Sequence, residues 1–500
     1  MTMNVLLINP THPNTFWSFK YALKFIGKTA AYPPLGLLTV AAMLPGEFRT
    51  RLVDVNVEAL GEDDLAWAQM VFIGGMAIQR TSAKEIIERC RARGLKVVAG
   101  GPLFTAEPEA FPEVDHLVLD EAELTLPHFL SDLKAGTLQR IYRASGFCGL
   151  DRTPIPDWRL VRMKKYASMS IQFSRGCPFN CDFCNVTALF GHRVRMKTPR
   201  QVLAELDSLY GAGWRGNIFF VDDNFIGNRG YLKSRLLPAL IEWRKDKKGC
   251  VFFTEASINL ADDSDLLDMM VRAGFDMVFI GIESPDEESL SECKKSQNKN
   301  RNLLQSVRKI QQAGLQVSGG FIVGFDCDTP SIFQRHIDFI QQSGIATAMV
   351  GILQAPPGTR LFDRLRQENR VLGPMSGDNV DGTTNIVPTM GLAALIEGYR
   401  SIMAHIYSPR NYYRRVRTLL RECGSPHART PMDFQRFLAF FRTSLRLGIL
   451  GKERLQFWHL LFWTLIRKPG QLPLAITLSI FGHHFRRVCE INIFGVGGQQ

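Results

Sequence analysis

The sequence predicts an α/β protein of three domains: a Rossmann-like N-terminal sheet, a central partial (β/α)6 barrel, and a mainly α C-terminal domain. Three observations carry this. At 500 residues the chain is too long for one ordinary core. Short apolar runs alternate with helical periodicity over its first 360 residues or so. That alternation then stops, and Arg- and aromatic-rich helical patches follow.

The opening third holds "MNVLLINP" (3–10), "FRTRLVDVN" (48–56), "MVFIGG" (70–75), "LKVVAGGP" (95–102) and "VDHLVLDEAE" (114–123). Each is an apolar run bounded by turn residues, with helical stretches between, such as "TSAKEIIERCRARG" (81–94). Five buried strands alternating with helices predict a doubly wound parallel sheet over 1–150. Such sheets bind ligands at the carboxyl ends of their strands, where Asn9-Pro10, Gly74-Gly75 and Gly100-Gly101-Pro102 fall.

A proline-containing loop, "DRTPIPDWRLV" (151–161), marks a boundary. Beyond it, strands are expected near 169–173, 217–222, 251–256, 277–282, 316–323 and 346–353. Six βα repeats over 160–365 predict a partial barrel, with its chemistry at the strands' C-terminal ends. Residues 366–500 form the third, helical domain, which carries 16 Lys and Arg against 5 Asp and Glu from Gly391 onward. Nearly all of the chain's formal charge of +12 therefore lies there, on a solvated helical face or at a partner.

The ten cysteines are scattered apart from one cluster, which suggests a reducing, cytoplasmic compartment. The start, "MTMNVLLINP", lacks the pattern of a secretory signal. The apolar runs "LLFWTLI" and "LPLAITLSIF" fall short of the ~20 residues that a spanning helix needs.

The cluster is "SRGCPFNCDFC": Cys177, Cys181 and Cys184, spaced C-x3-C-x2-C after the first barrel strand. Thiolates select zinc or iron–sulfur. Zinc would need a fourth ligand, for which His192 is nearest, whereas three thiolates leave one iron of a [4Fe-4S] cube open to a small bidentate molecule.

This motif resembles that of the radical S-adenosylmethionine (SAM) superfamily. There, SAM chelates the open iron and is cleaved by one-electron reduction to methionine and a deoxyadenosyl radical. The resemblance extends to "FFVDDNF", implying Asp222 and Asp223 as acceptors for the SAM amino group; to "IGIESP", implying Glu283 near ribose and carboxylate; and to "GGFIVGFD", implying Gly319 and Gly324 beside adenine. The first domain is similar to the cobalamin-binding domains that precede this barrel in one large class, which implies Asn9, Gly74, Gly100, Gly101 and Glu121 at that cofactor. Asp120 departs from the family's usual Gly before "EAE". No D-x-H-x-x-G run exists, so cobalamin is expected without a histidine on its lower face, with His12 and His116 solvated or packed.

"FWSFKYALKFIGKTAAYPPLGLLTVAAMLP" (16–45), "SGDNVDGTTNIVPTM" (376–390) and "IYSPRNYYRR" (406–415) resemble a subgroup with its own C-terminal domain that includes hopanoid C-2 methylases. The implied function is methylation of an unactivated carbon on a lipid-like, possibly isoprenoid, or secondary-metabolite substrate. The implied electron source is an external donor such as flavodoxin or ferredoxin. Cyclisation, rearrangement or oxidation is the alternative with the same cofactors. A nucleic-acid-binding role for the basic tail is the remote one, disfavoured by the near-neutral first 390 residues. The aromatic, basic tail also suggests peripheral association with the inner face of a membrane.

Overall fold

The computed structural model describes residues 2–378, 380–424 and 434–495, with the side chains of 434–437 excepted. The first sheet contains β1 (Asn4–Asn9), β2 (Arg49–Asp54), β3 (Met70–Gly74), β4 (Lys96–Gly100), β5 (His116–Val118) and β6 (Ile141–Tyr142). All strands are parallel, in the order β2-β1-β3-β4-β5-β6. Five strands were expected; the sixth is a two-residue edge too short to leave a periodic signal. Along β1, Leu6 and Ile8 enter one apolar cluster and Val5 and Leu7 another, so helices cover both faces. The order reverses between β1 and β3, which places a ligand crevice beyond Asn9 and Gly74.

The second sheet contains β7 (Ser168–Ile171), β10 (Asn217–Phe220), β11 (Val251–Ala256), β12 (Phe275–Glu283), β13 (Gln316–Val323) and β14 (Ala348–Ile352). Its strands are parallel and in sequential order from β7 to β14, the arrangement of an open (β/α)6 barrel. The expected first strand splits. β7 ends at Ile171, and β8 (Ser174–Arg175) turns away to pair antiparallel with β9 (Arg195–Met196).

Of the C-terminal helices, Leu392–Ile406 and Pro409–Glu422 pack on the barrel, and Phe434–Thr443, Arg454–Arg467 and Leu472–Val488 pack outside them, the first and last of these against the helix Lys20–Ile26. Part of "SPHARTPMDF" in the tail lies outside the described residues. Arg415 is fully buried, and its guanidinium donates to the Ile406 (2.8 Å) and Ala346 (3.2 Å) carbonyls. Tyr407 donates to the Ala348 carbonyl at 2.6 Å. The barrel and these helices thus share one core. Among the described residues no helix is long and apolar enough to cross a membrane.

Candidate functional site

The loop after β8 carries the three cysteines. Gly176 begins it at φ +89°, and a Cβ there would lie 2.8 Å from the Arg193 carbonyl oxygen and 2.9 Å from that of Gly191. Only glycine makes this turn without moving backbone. The Gly176 N–H donates to Asp223 Oδ2 at 3.0 Å and the Asp182 N–H to the Cys293 carbonyl at 3.0 Å, while Arg360 (2.6 Å) and Lys294 (3.2 Å) clamp the Asp182 carboxylate.

All ten cysteines are free thiols, and those at 177, 181 and 184 are half-buried. Burial pushes the Cys184 thiol up to about 12 and raises Cys177 as well. Lys295 opposes that. Its ammonium sits 2.7 Å from Glu283 Oε1, and despite its own burial the charges of Glu283, Cys181 and Cys184 keep it protonated. Gln297 Nε2 lies 3.7 Å from the Cys181 sulfur. Among the described residues no three Cys, His, Asp or Glu groups converge on a single-ion site. Three free thiols on one short loop suit a [4Fe-4S] cube with one open iron.

The acidic candidates divide. Asp222 is buried and its oxygens are occupied, accepting from the Phe173 N–H (3.2 Å), the Ser174 hydroxyl (2.5 Å) and the Ser174 N–H. It holds the β7–β8 junction, and burial raises it to about 7. Asp223, the next residue, lies in the turn after β10 and instead borders the cavity between the two sheets; it is raised to about 6, again by burial. Glu283 is buried at φ 62° on a bulge in β12, paired with Lys295. Gly319 and Gly324 lie away from that cavity. A Cβ on Gly319 would meet Phe321 at 2.8 Å, and Gly324 turns at φ +107° with its N–H donating to Asp328 (2.8 Å).

A cavity of about 1030 Å³ lies between the two sheets. Gly74, Gly75, Gly100 and Gly101 form its N-terminal wall. A Cβ on Gly100 would stand 2.5 Å from the Val118 carbonyl oxygen, and Gly101 has φ +90°. Asn9 lines the cavity, with its amide donating to Asp54 (2.9 Å) and its oxygen accepting from Gln79 (3.1 Å). Asp120 adopts φ 62°, which accounts for the glycine that the resemblance leads one to expect there; its carboxylate accepts from the Ala144 N–H (3.0 Å). His12 is half-buried and borders the cavity, and burial, opposed by the Asp54 charge, lowers its pKa.

Glu121 reaches the cavity but is tied across the domain boundary, accepting from Arg195 (2.7 and 2.8 Å), Arg175 (3.2 Å) and the Cys148 N–H (2.6 Å). Glu123 takes Arg175 in a bidentate pair (2.7 and 3.0 Å) and the Thr153 hydroxyl (2.8 Å). Arg175, Arg195, Lys295, Gln297 and Glu255 escaped the sequence reading. Glu255 borders the cavity and is raised to about 8 by burial, with Asp223 and Asp222 adding to the effect.

Comparison with known proteins covers the chain in three stretches. The Radical SAM superfamily matches residues 171–340, the B12 binding domain 29–130, and a domain of unknown function, DUF4070, 359–494. The hopanoid C-2 methylase of Rhodopseudomonas palustris is 33% identical over 96% of this chain and 92% of its own. The chain belongs to the cobalamin-binding radical SAM family. It lies in the methyltransferase branch, since an uncharacterized methyltransferase of Synechocystis sp. is 41% identical over 99% of this chain and 94% of its own. The enzyme's cofactors are a [4Fe-4S] cluster, SAM and cobalamin. The fold recurs in OxsB, a cobalamin-dependent SAM radical enzyme solved with aqua-cobalamin and SAM (TM-score 0.62, 15% identity, 100% of this chain, 82% of that one). It recurs also in TsrM, a radical SAM methyltransferase from Kitasatospora setae solved with cobalamin and a [4Fe-4S] cluster (TM-score 0.57, 18% identity, 74% of this chain, 75% of that one).

Proposed function

We propose that this enzyme methylates an unactivated carbon of a lipid-like, isoprenoid or hopanoid-type small molecule at the inner face of a membrane, with electrons from a flavodoxin- or ferredoxin-type donor. The observation that carries the substrate class is the near full-length similarity to a hopanoid C-2 methylase, including the C-terminal domain.

When bound, the cofactors supply one-electron cleavage of SAM and a transferable methyl group. The protein supplies position and dryness. Cys177, Cys181 and Cys184 hold the cluster from a loop pinned on both sides, with Lys295 beside the thiolates to offset their charge. Asp223 and Glu283 take the polar groups of SAM, while Asp222 fixes the strand junction that aims the loop. Gly319 and Gly324 shape the fifth strand through packing and a turn. The glycine wall at Gly74, Gly100 and Gly101 lets a flat macrocycle approach backbone, with Asn9 held ready by Asp54 and Gln79. The Arg175–Glu123 and Arg195–Glu121 pairs lock the cobalamin domain over the barrel mouth. Burial, with Asp223 and Asp222 adding to it, raises the Glu255 carboxyl to about 8 and so favours its neutral form beside the cavity.

The test is anaerobic incubation of the reconstituted enzyme with methyl-labelled SAM and polycyclic isoprenoids. Label in the lipid at a saturated or alkenyl carbon is expected. Label only in polar metabolites would overturn the substrate class.

A further inference from the structure

The C-terminal domain turns one apolar face inward and another outward. In the helix Arg454–Arg467, Phe457, Leu460, Leu461 and Thr464 are buried. On the opposite side Leu455 (75% exposed), Phe462 (57%), Leu465 (49%) and Ile466 (78%) face solvent. The preceding segment presents Phe441 (61%), Leu445 (43%), Ile449 (58%) and Leu450 (75%). The Trp458 ring joins the two stripes: its Nε1 donates to the Gly448 carbonyl at 2.9 Å and the ring stacks on Phe462 at 5.8 Å. Half of the exposed large apolar side chains among the described residues fall between 441 and 466, so this is a patch and not scatter.

Its charge has one sign. Arg442, Arg446, Lys452, Arg454 and Arg467 are exposed. The acidic residue in the same stretch, Glu453, is buried and paired with Arg486. A second copy of the chain would set these cations against themselves, whereas a negatively charged bilayer meets both the apolar centre and the basic rim.

The patch also adjoins the route to the cavity. The helix Lys20–Ile26 packs against Phe434–Thr443, and Arg442 donates to the Phe25 carbonyl (3.3 Å) beside exposed Ile26. Phe16, Trp17, Ser18 and Lys20 at the other end line the cavity wall. Lys20 and Ile26 stand six residue steps apart on this helix, about 9 Å along its axis.

We propose that this face docks the enzyme on an anionic bilayer, with Leu450, Leu455 and Ile466 entering the acyl region and the Phe16–Ile26 segment bridging membrane and cavity. Its purpose rests on the lipid-substrate reading above. The test is co-sedimentation of the full-length, reconstituted enzyme with vesicles of phosphatidylcholine alone or mixed with phosphatidylglycerol. Wild type should pellet with the mixed vesicles, less so at high salt. The L450E/L455E/I466E variant should partition at least about tenfold more weakly while still cleaving SAM to deoxyadenosine in solution. Equal pelleting of variant and wild type, or no pelleting of wild type, would overturn the docking face. So would light scattering that shows a wild-type dimer and a variant monomer, since a second copy would then cover it. Vesicle binding with no lipid methylation would instead sink the substrate reading and leave the docking face standing.

Discussion

Where the N-terminal sheet reaches the cavity it presents glycine backbone, at Gly74, Gly75, Gly100 and Gly101; the barrel rim opposite presents Arg175, Asp223 and Glu255. The first surface fails by steric intrusion, because Gly100 already lies against Val118. The second fails by loss of a charge partner, because Arg175 and the Glu123 it pairs with are both largely buried. A broad macrocycle needs unobstructed backbone, whereas a thiolate loop needs balanced charge. The two walls should therefore answer differently to substitution, to pH and to cofactor loading.

The largest effect belongs to the rim. Replacing Cys177, Cys181 and Cys184 together with Ala should abolish both the visible absorbance of the cluster and the formation of deoxyadenosine from SAM, while cobalamin still binds the other wall. Surviving SAM cleavage would break the comparison at its base.

Acid should loosen the domain staple next. Burial pushes Glu123 up, but the Arg175 hydrogen bonds and charge prevail and hold it down at about 2. A carboxyl held low contributes stability that is complete above the unfolded value of about 4.3 and is lost as pH falls towards 2, on the order of 3 kcal/mol in all. Chemical denaturation between about pH 6 and 3 should show this decline, and the E123Q variant should flatten it. An unchanged slope would mean that the pair contributes nothing.

The glycine wall comes third. G100A should cost about 1–3 kcal/mol and weaken cobalamin retention on gel filtration without touching the cluster absorbance. G46A, where a Cβ meets nothing within 4 Å, is the matched control. Equal behaviour of the two would remove the steric argument.

The smallest effect is expected at His12. Although it borders the cavity, the absence of a D-x-H-x-x-G run predicts cobalt free of imidazole. Electron paramagnetic resonance of the Co(II) form should be the same for wild type and H12A. Nitrogen splitting that vanishes in the variant would place His12 on the metal.

Much of this was legible because it is local. The C-x3-C-x2-C spacing, the strand-end glycines and the βα rhythm are short-range patterns. What stayed hidden depends on burial and direction. "KKSQNKN" reads as a surface loop, yet Lys295, Gln297 and Asn298 turn inward against Glu283, Cys181 and the Gly281 and Ile282 carbonyls. Asp222 and Asp223 are equivalent as letters, and only the turn after β10 sends one to the backbone and the other to the cavity. Arg175 and Glu123 stand 52 residues apart, beyond any periodicity. In the tail, apolar residues on two sides of one helix gave no sign of which side the core would take.

The central claim is a single machine that uses both walls, SAM cleavage at the barrel and methyl delivery from the cobalamin side. It is tested most directly by mass spectrometry of all SAM-derived products from the anaerobic enzyme, with and without cobalamin, in the presence of a lipid substrate. The account predicts deoxyadenosine and S-adenosylhomocysteine together with a methylated product, the latter two only when cobalamin is bound. Deoxyadenosine alone with an unmethylated, rearranged or oxidised product, or methylation that persists without cobalamin, would contradict it.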